Sequence, residues 1–248
     1  MSLFANVPRM TSDAFLDPRG AWRAWGALAL LVPVPTIAIL MNMVFFPGPL
    51  GMASWTVSKV WILAFPLVWT RFVEGAPLRF PAWSRAGLAQ GLAFGLLAAA
   101  GVLLCDRLLL RALLEPSAFA EMIGENGLDR PWAYAGMAVY ICVVNSLLEE
   151  YVWRWFVFRQ IQRLVSPVLA VLLSAAAFTL HHTVIVQTQF GDWGLTALAS
   201  VGVFIGGAMW SALYLRFRSI WPAWLSHVVV DVAVFVIGAR LVFGVEWI

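Results

Sequence analysis

Seven apolar runs, each close to the about 20 residues that a helix needs to cross the hydrocarbon core of a bilayer, leave this chain few folds to choose from. They fall at approximately 24–46, 53–72, 87–105, 132–158, 167–188, 195–215 and 220–243. Turn signals separate them: Pro47-Gly48-Pro49, Gly75-Ala76-Pro77, Ser166-Pro167, Gly191-Asp192 and the segment Arg216–Ser219. With 62% hydrophobic and only 12% charged residues, the expected fold class is all-α, a polytopic membrane helix bundle of about seven transmembrane helices. It is read as one integral membrane domain, with a three-span region and an interfacial loop over residues 1–131 and a core over 132–248. The first run, Trp25–Phe46, exceeds a secretory h-region and no small-residue cleavage site follows it, so it is read as an uncleaved span with the mature chain starting near Met1.

Arginine placement orients the spans, because cytoplasmic flanks carry the excess of basic residues. With the N-terminus inside, the inner flanks hold Arg9, Arg19 and Arg23, then Arg71, Arg79 and Arg85, then Arg159 and Arg163, then Arg216 and Arg218. The outer flanks are poorer, and the 106–131 connection mixes Arg107, Arg111 and Arg130 with five acids. The expectation is an integral protein of a bacterial inner membrane, N-terminus cytoplasmic and C-terminus outside. Lys59 as the only lysine hints at a GC-rich bacterium. Residues 112–131 are read either as an interfacial amphipathic helix or as a solvated loop. Tryptophans at span ends, among them Trp22, Trp55, Trp132, Trp221 and Trp247, read as interfacial anchors. Gly91 with Gly95, and Gly202 with Gly206, have the small-residue spacing of helix packing.

Net charge is +3 with the arginines dispersed, so no nucleic-acid partner is expected. Cys105 and Cys142 lie in different spans without CxxC spacing and read as buried apolar residues.

Chemistry concentrates in the later spans. Glu149 and Glu150 are adjacent carboxylates in an apolar run, each costing about 3 kcal/mol on insertion scales, and such groups face a protein interior or water. Arg154 stands four residues after Glu150, the favourable order for a helical ion pair. Glu149 points about 100° away and has no intrahelical counter-charge, which suits a general base or acid. Asn145, one turn earlier on that face, could orient a water or a substrate carbonyl. His181 and His182 lie in the fifth run, and His227 shares a face with Asp231 in the seventh. That carboxylate could fix the imidazole's tautomer, raise its basicity, or join it on a metal ion.

Counting from Ser166, Glu149 lies 17 residues back and His182 lies 16 forward. At about 1.5 Å per residue both are about 25 Å from the turn, at one level of an antiparallel pair. His227 is only 8 residues past Ser219. For all three to meet, the hairpin of spans four and five should project about 12 Å into the cytoplasm, with the site opening that way.

Glu149-Glu150-x-x-x-Arg154, Phe178-x-x-x-His182 and His227-x-x-x-Asp231, in this order in three spans, resemble the signature of the CAAX protease and bacteriocin-processing (CPBP, or Abi) family, which includes the type 2 CAAX prenyl endopeptidases. The resemblance covers about residues 132–235. It implies a helical intramembrane endopeptidase acting on a membrane-anchored protein or peptide in the lipid bilayer. It further implies that Glu149 activates water together with His182, that Glu150 and Arg154 brace the helix, and that His227 and Asp231 receive the oxyanion. An ionised Asp231 would repel that oxyanion, so it is expected to be protonated, to orient a cationic His227, or to bind metal. FxxxH spacing selects His182 as catalytic, with Phe178 in a supporting role, and because neighbouring helical residues diverge by about 100°, His181 is expected to point out of the site, in packing or behind the residues that touch substrate. No metal cofactor is favoured, though Glu149, His182, His227 and Asp231 would suit a divalent zinc-like ion. HExxH is absent and a glutamate-type protease is preferred to a metalloprotease.

Two other classes compete. A proton-coupled transporter could use Glu149, His182 and Asp231 as a relay, but no inverted repeat is visible. A catalytically silent immunity or scaffold protein could keep the bundle alone.

Overall fold

A computed structural model describes residues 18–79 and 82–245. Eight helices organise them: α1 (Gly20–Phe45), α2 (Pro49–Val73), α3 (Arg85–Leu113), α4 (Pro116–Glu125), α5 (Pro131–Gln162), α6 (Pro167–Phe190), α7 (Trp193–Phe217) and α8 (Trp221–Phe243). All but α4 are long and apolar enough to cross a membrane, and there is no strand among the described residues. The protein is an all-α integral membrane protein with seven candidate spans, because a helix satisfies its own backbone where no water can. The connection between spans three and four contains a helix, α4. Arg9 and Trp247 lie outside the described residues. Trp22 and Trp132 are exposed near span ends.

The chain divides into two units that alternate in sequence, residues 1–82 with 149–220, and residues 83–148 with 221–248. In the first unit, α6 and α7 form a hairpin. Gly191 ends α6 at φ 67°, the left-handed conformation that glycine adopts without a Cβ penalty. Asp192 then caps α7 by accepting from the Leu195 amide at 2.6 Å. Thr196 closes the turn by donating to the Gln187 side chain at 2.8 Å.

Farther from that turn, the two helices touch where Gly207 lacks a side chain. A Cβ there would come to 3.3 Å from both the Ala175 Cα and the Phe178 Cδ1. The small-residue reading had fallen on Gly202 and Gly206. A Cβ on Gly202 would meet nothing within 4 Å, and the atoms nearest to one on Gly206 belong to Trp210 of its own helix. The spacing identified a small-residue helix, but which face meets the neighbour depends on rotation about the axis. Gly207→Val should therefore destabilise by about 1–3 kcal/mol through overpacking, read as a lowered thermal unfolding midpoint in detergent. Gly202→Ala should leave the midpoint unchanged.

Polar side chains tie together the ends of α2, α5 and α7. Glu74, just past α2, accepts from Arg163 at 2.7 and 3.1 Å and from Gln160 at 2.7 Å. Arg218, just past α7, donates to Gln162 at 3.0 Å. Tyr151 donates to the Leu63 carbonyl at 3.0 Å, fastening α5 to α2 at a second level.

In the second unit, α3 lies along α8. Gly91 faces the Pro222 backbone and Gly95 faces Ser226, so this pair is the close approach its spacing suggested. Asp106 is buried and accepts from Arg240 at 2.7 Å, with Arg111 at 3.7 Å. Tyr134 donates to the Phe235 carbonyl at 2.8 Å. Both cysteines are free thiols, and Cys142 is buried.

Candidate active site

α5 is not a plain α-helix. It is π-helical over Tyr140–Asn145 and over Tyr151–Phe158, and the short α-helical stretch Ser146–Glu150 between them carries the two carboxylates. π-turns, with their i→i+5 bonding, occur frequently at functional sites. Hydropathy carries no trace of them, since they leave the apolar pattern nearly intact. The second π stretch is also the best buried part of the first unit, with all eight residues from Tyr151 to Phe158 inside.

Glu150 and Arg154 are both fully inaccessible to solvent and pair at 3.1 Å. The guanidinium lies over the ring of Phe178 at 4.5 Å and over that of Trp210 at 5.1 Å, and Nη2 donates to the Gly207 carbonyl at 3.4 Å. One cation therefore touches α5, α6 and α7. Phe178 and Trp210 thus form an aromatic enclosure around the guanidinium of the Glu150–Arg154 pair. Cation–π contact with two desolvated rings offsets part of the cost of burying the charge.

Phe178 also meets His182, with ring centroids 4.5 Å apart. The His182 Nδ1 lies 3.0 Å from the Phe178 carbonyl. A carbonyl can only accept, so this contact puts the proton on Nδ1 and makes Nε2 the acceptor nitrogen of the neutral ring. The FxxxH spacing is the i,i+4 spacing that makes the bond possible.

Glu149, His181 and His182 come together, each offering a donor atom within 4.8 Å of the others, and each half-buried. Glu149 and His182 had been expected at one level. His181 had been expected to point elsewhere, and here the structure differs: the two imidazoles lie 4.1 Å apart, centroid to centroid. The divergence of about 100° applies to the Cα–Cβ directions, and rotation about the side-chain bonds overcomes it. Trp153 fixes the outcome by stacking on His181 at 5.2 Å with an interplanar angle of 5°.

Asn145, His227 and Asp231 belong to the second unit. Asn145 closes the first π stretch of α5. His227 is 4% exposed, and its Nε2 lies 3.6 Å from the Asp231 Oδ1, an ion-pair separation longer than a hydrogen bond.

Residues 131–233 match a family model, Rce1-like, described as Type II CAAX prenyl endopeptidase Rce1-like. No curated protein and no solved structure matches the chain. The matched stretch begins with α5 and ends two residues past Asp231, so it contains all three motifs. This integral membrane protein is thus similar, over residues 131–233, to the type II CAAX prenyl endopeptidases of the Rce1-like family.

Proposed function

We propose that this protein is an intramembrane endopeptidase that hydrolyses a peptide bond near the membrane-proximal C-terminal region of a membrane-associated substrate. The observation that carries the reading is the juxtaposition of Glu149 with His182, whose tautomer the Phe178 carbonyl sets, inside a stretch similar to a protease family.

The reaction follows from the groups present. The Glu149 carboxylate takes a proton from a water held by the His182 Nε2, and the water oxygen attacks the scissile carbonyl. As the C–N bond breaks, the proton passes from Glu149 to the departing amine, which regenerates the carboxylate. His227 and Asp231 are assigned to the carbonyl oxygen by family position. The Asp231 Oδ1 lies 3.6 Å from the His227 Nε2, and it serves the oxyanion either as a protonated acid or by orienting a cationic His227.

Glutamate-type chemistry is the preferred form. A zinc-like ion on Glu149, His182, His227 and Asp231 is the alternative. In a bacterial inner membrane with the N-terminus cytoplasmic and the C-terminus outside, the basic ends of α2, α5 and α7 face the cytoplasm. The hydrogen bonds joining Glu74, Arg163, Gln162 and Arg218 support a common level for those ends.

The test is cleavage of membrane-anchored peptides in reconstituted liposomes. His182→Ala should lower the rate by about a hundredfold or more, the usual worth of a positioned proton-transfer partner. Wild-type activity should survive exhaustive chelation. Loss on chelation with recovery on adding one ion would establish a metalloprotease, and proton-driven uptake lost with Glu149→Ala would establish a transporter.

A further inference from the structure

His181 lies outside the three-motif signature, and its buried Nδ1 has no hydrogen-bond partner. A buried polar nitrogen left in this state is uncommon and calls for a physical explanation. Its neighbours supply one. Glu149 and His182 offer a carboxylate oxygen and an imidazole nitrogen, and the three donor atoms lie within 4.8 Å of one another.

We propose that Glu149, His181 and His182 form a binding site for a single late first-row divalent cation of the zinc class. Two imidazoles and a carboxylate are the donor set such ions prefer, and three protein donors leave a fourth position open. Bonds of about 2.0–2.1 Å to nitrogen and oxygen set the spacing required. The three donor atoms, within 4.8 Å of one another, must draw closer for an ion to bind all three. The Phe178 carbonyl accepts from the His182 Nδ1 and so directs Nε2 to the ion, while Trp153 holds the His181 ring by stacking. All three donors belong to the first unit. The site therefore differs from the Glu149, His182, His227 and Asp231 set in using His181, the residue the motif passes over.

An ion held here engages the carboxylate and imidazole that the proposed hydrolysis uses on water. The ion-bound and water-activating states are thus alternative occupancies of one place. Binding is measured without substrate, so its failure leaves the protease reading intact.

The experiment is a Co²⁺ titration of the purified full-length protein in detergent, followed by visible absorption and by metal content after gel filtration. One Co²⁺ per chain with the intense visible bands of a four-coordinate site is expected, displaced by Zn²⁺. His181→Ala should weaken the affinity at least about tenfold, the lower bound for losing even an outer partner of a bound metal. His181→Asn serves if the alanine variant does not fold. His227→Ala should bind Co²⁺ as the wild type does. No saturable binding by the wild type, unchanged affinity in both His181 variants, or binding abolished by His227→Ala would each overturn the site.

Discussion

Glu149→Gln is expected to reduce peptide hydrolysis by about a hundred- to ten-thousandfold, the range associated with a positioned general base. Glutamine keeps the volume and the hydrogen-bonding outline of the side chain but accepts no proton at neutral pH, so the loss reports chemistry and not packing. The structure makes the substitution clean. Glu149 is half-buried among His181 and His182, whereas the neighbouring Glu150 is fully buried and carries the ion pair to Arg154. The fold should therefore survive, as judged by gel filtration and by the thermal midpoint. Cleavage of a membrane-anchored peptide in liposomes measures the effect. A Glu149→Gln enzyme retaining more than about a tenth of the wild-type rate would remove general-base catalysis by this residue from the mechanism.

The second large effect is on stability. Removing Arg154 as Arg154→Met should cost about 3–5 kcal/mol, because it takes this counter-charge from a Glu150 carboxylate that no solvent reaches. Replacing both partners, Glu150→Leu with Arg154→Met, should recover much of that loss, since an apolar pair of similar volume has no charge to desolvate. Arg154→Lys should not substitute, because an ammonium cannot offer the flat face that lies between Phe178 and Trp210. Reversible unfolding of the four proteins in mixed detergent micelles gives the comparison. If the double variant were as unstable as Arg154→Met, the cause would be lost packing against Phe178 and Trp210, and the ion pair would carry little of the effect.

The readable parts of this chain are those governed by short-range periodicity. Spans could be marked because an apolar run of membrane length has one solution in lipid. The pairing of Glu150 with Arg154 follows from an i,i+4 spacing, and the nearly equal separations of Glu149 and His182 from Ser166 anticipate that they lie side by side. What could not be read depends on rotation about helix axes. The contact of Gly207 with Ala175 and Phe178 lies one residue from the glycine pair that spacing had selected. His181 turns toward His182 because Trp153 stacks on it, and Trp153 is in a different span. Trp210, which closes the ring around Arg154, carries no signal in a run that is apolar throughout. The division into units of alternating segments, with its boundary between Leu148 and Glu149, likewise has no mark in composition.

The two π stretches of α5 bear on how such a protein can change over generations. A π-turn amounts to one residue more than the α-helix it interrupts. Gain or loss of one codon within Tyr140–Asn145 or Tyr151–Phe158 would swap one helical form for the other and swing Glu149 around the axis relative to one end of the span. The span itself would lengthen or shorten by only about 1.5 Å, which a bilayer tolerates. Aim of the carboxylate can thus be retuned by a single insertion or deletion inside a transmembrane helix, a class of mutation that uninterrupted α-helical spans absorb far less readily.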